Sequence, residues 1–345
     1  MKKLFSCISF LFLVIFLAGC SSNSDDDDLA GDWTRQSDFE GVSRSDAASF
    51  VIDNIAYLGT GFTSATSTET RLTDFWKYDP TQDNWFSIAA FPGTARNKAV
   101  AFTANGKGYV GLGTDGTNVL KDFWEYTPGT NTWKQIADFP TTKGRYGAVA
   151  FAINESGYVG CGNDGDNDQQ DFYRYNVTSN TWTQVSSMKS KRINPFVFVI
   201  NNVAYVGGGS NNGSMVSSFY AFNPTANTWD RKTSLYPQAT DSEDSEEIQD
   251  NDNYDYNLQR TSPATFVIDG QGYITTGTNS SVLNTTWQYN PSTDFWTEVD
   301  VFEGVSREGA AGFTLNNKGY VATGRSGATR LDDLWKFDPN TSDDD

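Results

Sequence analysis

From Trp33 onward the chain alternates short runs of small, apolar and aromatic residues with polar turns, a pattern of strands and hairpins. One phrase recurs. An aromatic residue at the end of a short strand is followed by Tyr or Phe, a turn built from Pro, Thr and Asn, and a Trp. It appears as Trp76 to Trp85, Trp124 to Trp133, Tyr173 to Trp182, Tyr220 to Trp229 and Trp287 to Trp296, nine residues apart each time. That constancy describes a hairpin of fixed loop length. Upstream of each hairpin stands an Arg, then a strand of small and apolar residues, then a strand ending in Gly (GYVGLG at 108–113, GYVGCG at 157–162, AYVGGG at 204–209). The Arg precedes the first aromatic by 28 residues in four units, by 27 in the unit of Arg260 and by 32 in that of Arg44. Each unit is therefore four short strands within about 48 residues, a period that signals an array of repeated sheets.

Arg, Gly-rich strand end and spaced aromatic pair, recurring in that order over residues 32–339, resemble the kelch repeats of the kelch and galactose-oxidase-like propeller superfamily. The resemblance implies an all-β, six-bladed β-propeller. Departures are modest: Thr-Gly replaces the double Gly at Thr60-Gly61, Thr276-Gly277 and Thr323-Gly324, and two units use Tyr as the first aromatic. The innermost strand is rich in Ala and Gly because the blades converge there. The last unit, from Arg307, ends before its fourth strand. Trp33-TRQSDFEGVS-Arg44 copies Trp296-TEVDVFEGVS-Arg307, so the segment at Trp33 is expected to supply the missing outer strand and cover an otherwise open edge.

Ahead of this body, Lys2 and Lys3 precede an apolar run, Leu11 to Leu17, too short for a comfortable membrane span. Leu17-Ala18-Gly19-Cys20 resembles the bacterial lipobox, which implies lipidation at Cys20 and a membrane tether that leaves the domain otherwise soluble. The expected layout is a signal peptide at 1–19, an acidic tether at 20–31, the propeller at 32–339 with an acidic insertion at 235–259, and an acidic tail at 340–345. Ser and Asp after Cys20 resemble the export signal of some surface lipoproteins. The expected location is thus the outer membrane of a Gram-negative bacterium, on the cell surface.

The net charge is −18, but it is concentrated. Asp25 to Asp28, residues 235–259 and Asp343 to Asp345 hold fifteen acids. Without these, and without Lys2 and Lys3, 23 basic residues face 28 acidic ones. A nearly balanced body with acidic appendages argues against nucleic acid or anionic lipid as partner. The expected partner is a glycan or an extracellular protein, met by a monomer whose only membrane contact is the lipid anchor. Cys7 leaves with the signal, so Cys161 is the one remaining thiol of the body, and no internal disulfide forms.

The chain contains no His, which removes the usual base of hydrolytic triads and the usual ligand of zinc and copper sites. The copper-radical chemistry of galactose oxidases is excluded with it, and no catalytic residue stands out. Arg44, Arg96, Arg145, Arg192, Arg260 and Arg307 each begin an innermost strand, on one face around the channel. Two readings stand. The six guanidinium groups hold a carboxylate or sulfate of a ligand through forked bonds, or they pair with carbonyls and acids such as Glu40, Asp46 and Glu303 to stitch the blades. Asp164, Asp166, Asp168 and Asp171 resemble part of a calcium loop, although Gln169 and Tyr175 stand where an EF-hand needs Gly and Glu; the other reading is a solvated turn, with no cofactor. The insertion separates Trp229 from Arg260 by 31 residues against ten to twelve elsewhere, as a lid or a tolerated excursion. The functional expectation is a binding or scaffold propeller. The alternative is a His-free carbohydrate enzyme, by analogy with kelch propellers that interconvert sialic acid anomers, with Glu40, Asp46, Glu303 and Glu308 as candidate acids.

Overall fold

The structure is a computed structural model that describes residues 29–64, 70–236 and 256–341. Six four-stranded antiparallel sheets radiate from one axis. The innermost strands are Ala48–Ile52, Val100–Ala104, Val149–Ile153, Phe196–Ile200, Ala264–Ile268 and Ala311–Leu315. Each alternates buried and half-buried positions, because successive side chains point to opposite faces. One set, such as Phe102 and Phe151, packs between blades; the other, such as Ala101 and Ala150, faces the channel. The innermost strand turns into the second through a two-residue hairpin with both residues left-handed: Asp53-Asn54, Asn105-Gly106, Asn154-Glu155, Asn201-Asn202, Asp269-Gly270 and Asn316-Asn317. Asn, Asp and Gly tolerate that conformation, whose twist matches the flanking strands. Glu155 is the exception, and its carboxylate accepts the Asn105 N–H of the preceding blade.

The spaced aromatic phrase is the hairpin between the third and outer strands. Its Tyr hydroxyl donates to the residue five places on, as in Tyr78 to Asp83 (2.7 Å), Tyr126 to Asn131 (2.9 Å) and Tyr175 to Asn180 (2.8 Å). That Asn or Asp also accepts a backbone N–H from the blade before, from Ser37, Ala89 and Ala137 in turn. In blades two, three and four the Trp of the outer strand donates its indole N–H to the same neighbour, Trp133 to Ala89 O, Trp182 to Ala137 O and Trp229 to Ser186 O, whereas the buried indoles of Trp85 and Trp296 make no such bond. The repeat therefore encodes contacts between blades as much as within them.

Glycine at the end of the second strand has a specific task. Gly113, at φ +91°, donates its N–H to Arg145 O of the next blade, and a Cβ there would fall 2.7 Å from Asn97 O and 3.0 Å from Ala99 N. The equivalent bond recurs in all six blades at 2.7–2.9 Å, ending with Gly324 N–H to Arg44 O across the closure. At that closure Asp32–Gln36 pairs antiparallel with Leu334–Asp338, Trp33 opposite Phe337. Trp33 is buried against Phe302 and Phe337, ring centroids 4.9 Å away in each case. The N-terminal strand completes the last blade, as its match to residues 296–307 indicates.

Candidate functional site

The six repeated arginines do not line the channel. All are at most 2% exposed, and each sends Nη1 to the carbonyl sixteen residues on, from Thr60 for Arg44 to Thr323 for Arg307. Four meet a carboxylate of their own blade. Arg44 takes Asp74 at 2.8 and 2.6 Å, Arg96 takes Asp122 at 2.8 and 2.7 Å, Arg307 takes Asp333 at 2.5 and 2.6 Å, and Arg145 takes Asp171 at 2.7 Å. Phe39, Phe91, Phe139 and Phe302 lie under these guanidinium groups at 4.7–5.1 Å. A ligand in the channel meets none of the six. Their acidic partners are not Glu40, Asp46 or Glu303 but the Asp two residues before each first aromatic, a spacing visible in the sequence and overlooked. Burial would raise Asp74, Asp122 and Asp333, yet the Arg bonds and charge, with an indole N–H from Trp76, Trp124 or Trp335, hold all three below the usual carboxylate range. In the other two blades the acid is replaced. Arg192 bonds to Ser190 and Ser218, and Arg260 to Thr285. Burial without a bonded carboxylate lowers Arg260 to about 10.

The acids of blade three do not converge. Asp164 accepts the N–H groups of Asp166 and Asn167 at 2.9 and 2.8 Å, Asp166 pairs with Lys143, Asp168 accepts from Asn163 and from Asn212 N–H, and Asp171 holds Arg145. This is a capped turn with a bridge to blade four, and among the described residues no three or more Asp, Glu, Cys or His side chains gather as a metal would need. Cys161 is fully buried, with Sγ 3.8 Å from Met188 Sδ, and burial pushes its thiol up to about 12. Cys20, most of the acidic insertion and the end of the tail lie outside the described residues. The neck of the insertion is described. Leu235 and Leu258 are both buried, Leu258 N–H bonds to Leu235 O at 2.7 Å, and Tyr256 reaches Ser234 O.

Polar side chains gather elsewhere, two residues after each Arg. Asp46, Lys98, Gly147, Asn194, Ser262 and Gly309 form a ring at one mouth of the channel, all with φ between 51° and 63°. Their backbones close a girdle around the axis. Each N–H donates to the carbonyl of the ring residue one blade back, Lys98 to Asp46 and so on to Asp46 N–H on Gly309 O, at 2.7–3.3 Å. Asp46 leans over Gly309 and Asn194 over Gly147, where a Cβ would come within 2.9 and 2.4 Å of their side-chain oxygens. Lys98 Nζ stands 5.9 Å from the centroid of the Tyr146 ring. A cavity of about 120 Å³ opens here, lined by Asp46, Lys98, Asn194 and Ser262 from four blades. Deeper sections of about 180 and 360 Å³ are lined by Ala, Val, Phe, Pro, Gly, Ser and Thr alone. The linings of those two sections hold no ionisable group. Of the four candidate acids only Asp46 reaches the mouth; Glu308 is bound to Arg325 at 2.6 Å. Lys98, Asn194 and Tyr146 were missed because they break the repeat, and the break is itself the signal.

Residues 32–200 match the family model of the KLHDC2/KLHL20/DRC7 Kelch-repeats domain. No curated protein matches the chain. A solved structure titled "Structure of YjhT" is similar with a TM-score of 0.69 at 15% identity, covering 86% of this chain and 95% of that one. Identity that low carries the fold and nothing about ligand. With its ordered repeats, its six closed sheets and these two likenesses, the chain is a kelch-repeat β-propeller.

Proposed function

We propose that this protein is a surface-anchored glycan-binding propeller that takes a sugar at the channel mouth ringed by Asp46, Lys98, Asn194 and Ser262. The observation that carries this reading is the mouth cavity, where four blades each contribute a different polar side chain. A sugar ring offers hydroxyls that donate and accept together with an apolar face. A carboxylate, an amide, a hydroxyl and an ammonium meet the sugar hydroxyls, and the small apolar side chains of Ala47, Ala99 and Ala148 meet the face. The buried arginines are occupied in the fold, and of the four candidate acids only Asp46 lines the mouth. Binding therefore fits better than catalysis. Cys20, within Leu17-Ala18-Gly19-Cys20, supplies the lipid anchor in this reading, and the Ser- and Asp-rich segment after it holds the propeller off the membrane.

A glycan array probed with the full chain in detergent tests the assignment, alongside Asp46→Asn and Asn194→Ala. Retention of a defined sugar by the wild type, weakened at least tenfold in both variants while melting midpoints hold, is the expected result. Retention unaffected by both variants removes the mouth as the site. Saturable turnover of the sugar, lost in Asp46→Asn, would replace binding with enzymatic conversion.

A further inference from the structure

One cation on the mouth face is held in place yet has donors to spare. Arg71 lies on the hairpin that joins the second and third strands of blade one, with Thr70–Arg71 paired to Phe62–Thr63. Its Nε donates to Asn97 Oδ1 of blade two at 2.9 Å, and its guanidinium carbon stands 5.2 Å from the centroid of Phe62. It lies flat on blade two at Gly116, where a Cβ would fall 2.4 Å from Nη1; Gly116 has φ +96° and carries no side chain to push it off. The acid nearby, Asp115, whose carboxyl is held down by bonds from Asn118 and Thr117 and, more weakly, by the Arg71 charge, makes no hydrogen bond to Arg71. Asp115 spends its oxygens on the N–H groups of Thr117 and Asn118 and on the Asn118 amide. Among the described residues Nη1 and Nη2 find no acceptor. A second guanidinium, Arg330 of blade six, stands 5.0 Å from the same Phe62 ring and adds to the positive field. Asn97, which fixes Arg71, is the chain neighbour of Lys98, which lines the mouth cavity.

We propose that Arg71 is the anion-recognising subsite of the channel mouth, so that the sugar bound there is acidic, with a carboxylate or sulfate on the Nη1–Nη2 edge that no described residue occupies. This rests on the reading of the mouth as a glycan site. A guanidinium anchored through Nε and one face presents its outer edge in the planar fork that matches two oxygens of a carboxylate or sulfate. Because Asn97, Phe62 and Gly116 already fix the side chain, little rotamer freedom is lost on binding.

The test uses matched pairs on a glycan array: acidic oligosaccharides beside their methyl-esterified or desulfated forms, probed with the full chain, Arg71→Ala and Arg71→Lys. The wild type is expected to prefer the acidic member. Arg71→Ala should weaken the acidic member about ten- to a hundredfold and leave the neutral member within about twofold, with Arg71→Lys between. Loss of a blade contact would lower both members alike, so equal loss assigns Arg71 to structure and overturns the proposal. Equal wild-type binding of both members, or an acidic preference that survives Arg71→Ala, also overturns it while leaving the mouth reading intact if Asp46→Asn still weakens binding. Retention of no sugar at all overturns the mouth reading and this one with it. Binding confined to acidic peptides on a parallel array makes the occupant a protein and overturns the sugar assignment.

Discussion

Asp333→Ala isolates the energetic role of the buried arginines. Arg307 is fully buried and Asp333 keeps 14% of its side chain exposed, with two bonds of 2.5 and 2.6 Å between them and a third, 2.8 Å, from Trp335 Nε1. Truncating the acid leaves a guanidinium out of water with only the carbonyls of Val305 and Thr323. Breaking a buried pair from one side costs about 3–5 kcal/mol, mostly as the penalty on the charge left behind. For a body of this size that is roughly 6–15 °C in melting midpoint. Removing the orphan as well, in Asp333→Ala with Arg307→Met, should recover part of the loss. The pH dependence has a defined sign. Asp333 titrates below its unfolded value near 3.9, so its contribution is full above that value and is lost as pH falls through the lower folded one. The gap between wild type and Asp333→Ala should therefore be constant from pH 5 to 7 and narrow under strong acid. Thermal melts followed by Trp fluorescence, with chemical denaturation at pH 7 and in acid, read both effects. An unchanged midpoint for Asp333→Ala, or a double variant no better than the single, refutes the reasoning.

Trp33→Ala should cost about 3–5 kcal/mol, since this one side chain fills the seam against Phe302 and Phe337; a denaturant midpoint equal to wild type would contradict the closure. Cys161, raised to about 12, should resist thiol reagents at pH 8 in the folded protein and react only on unfolding, which a timed alkylation followed by mass measurement reads directly. Cys20→Ser should move the protein from the membrane to the soluble fraction with loss of acyl mass, and a variant that stays membrane-bound beside an unacylated wild type rules out the anchor.

The propeller was legible because each of its devices is repeated. The Trp–Asn hairpin, the glycine against the next strand and the Arg at the start of each blade serve contacts that recur from blade to blade, so the same residues recur at the same spacing. That repetition also misled. Six guanidinium groups in register suggest a binding ring, whereas a ligand has no six-fold symmetry to satisfy and a propeller does. The deciding signal was Asp74, Asp122, Asp171 and Asp333, each two residues before its aromatic. The mouth stayed hidden for the opposite reason. Asp46 stood out only as one candidate acid among four; Lys98 and Asn194 differ from their counterparts in every other blade, Arg71 is shared only with Arg330 of blade six, and their convergence depends on the closing of the ring.

The girdle at that mouth sets how such a protein can change its ligand over evolution. Its six N–H groups are all spent on the six carbonyls of the ring, so the girdle has no backbone donor left for an incoming molecule, and donation falls to the side chains alone. Those side chains hang from positions whose bonds do not depend on their identity, so they can be exchanged without disturbing the ring. The exchange has a limited alphabet. With φ between 51° and 63° at every position, Gly, Asn, Asp and unbranched residues are admitted and β-branched ones are strained. New specificities of this scaffold should therefore arise from a small polar vocabulary, reshuffled around a fixed circle.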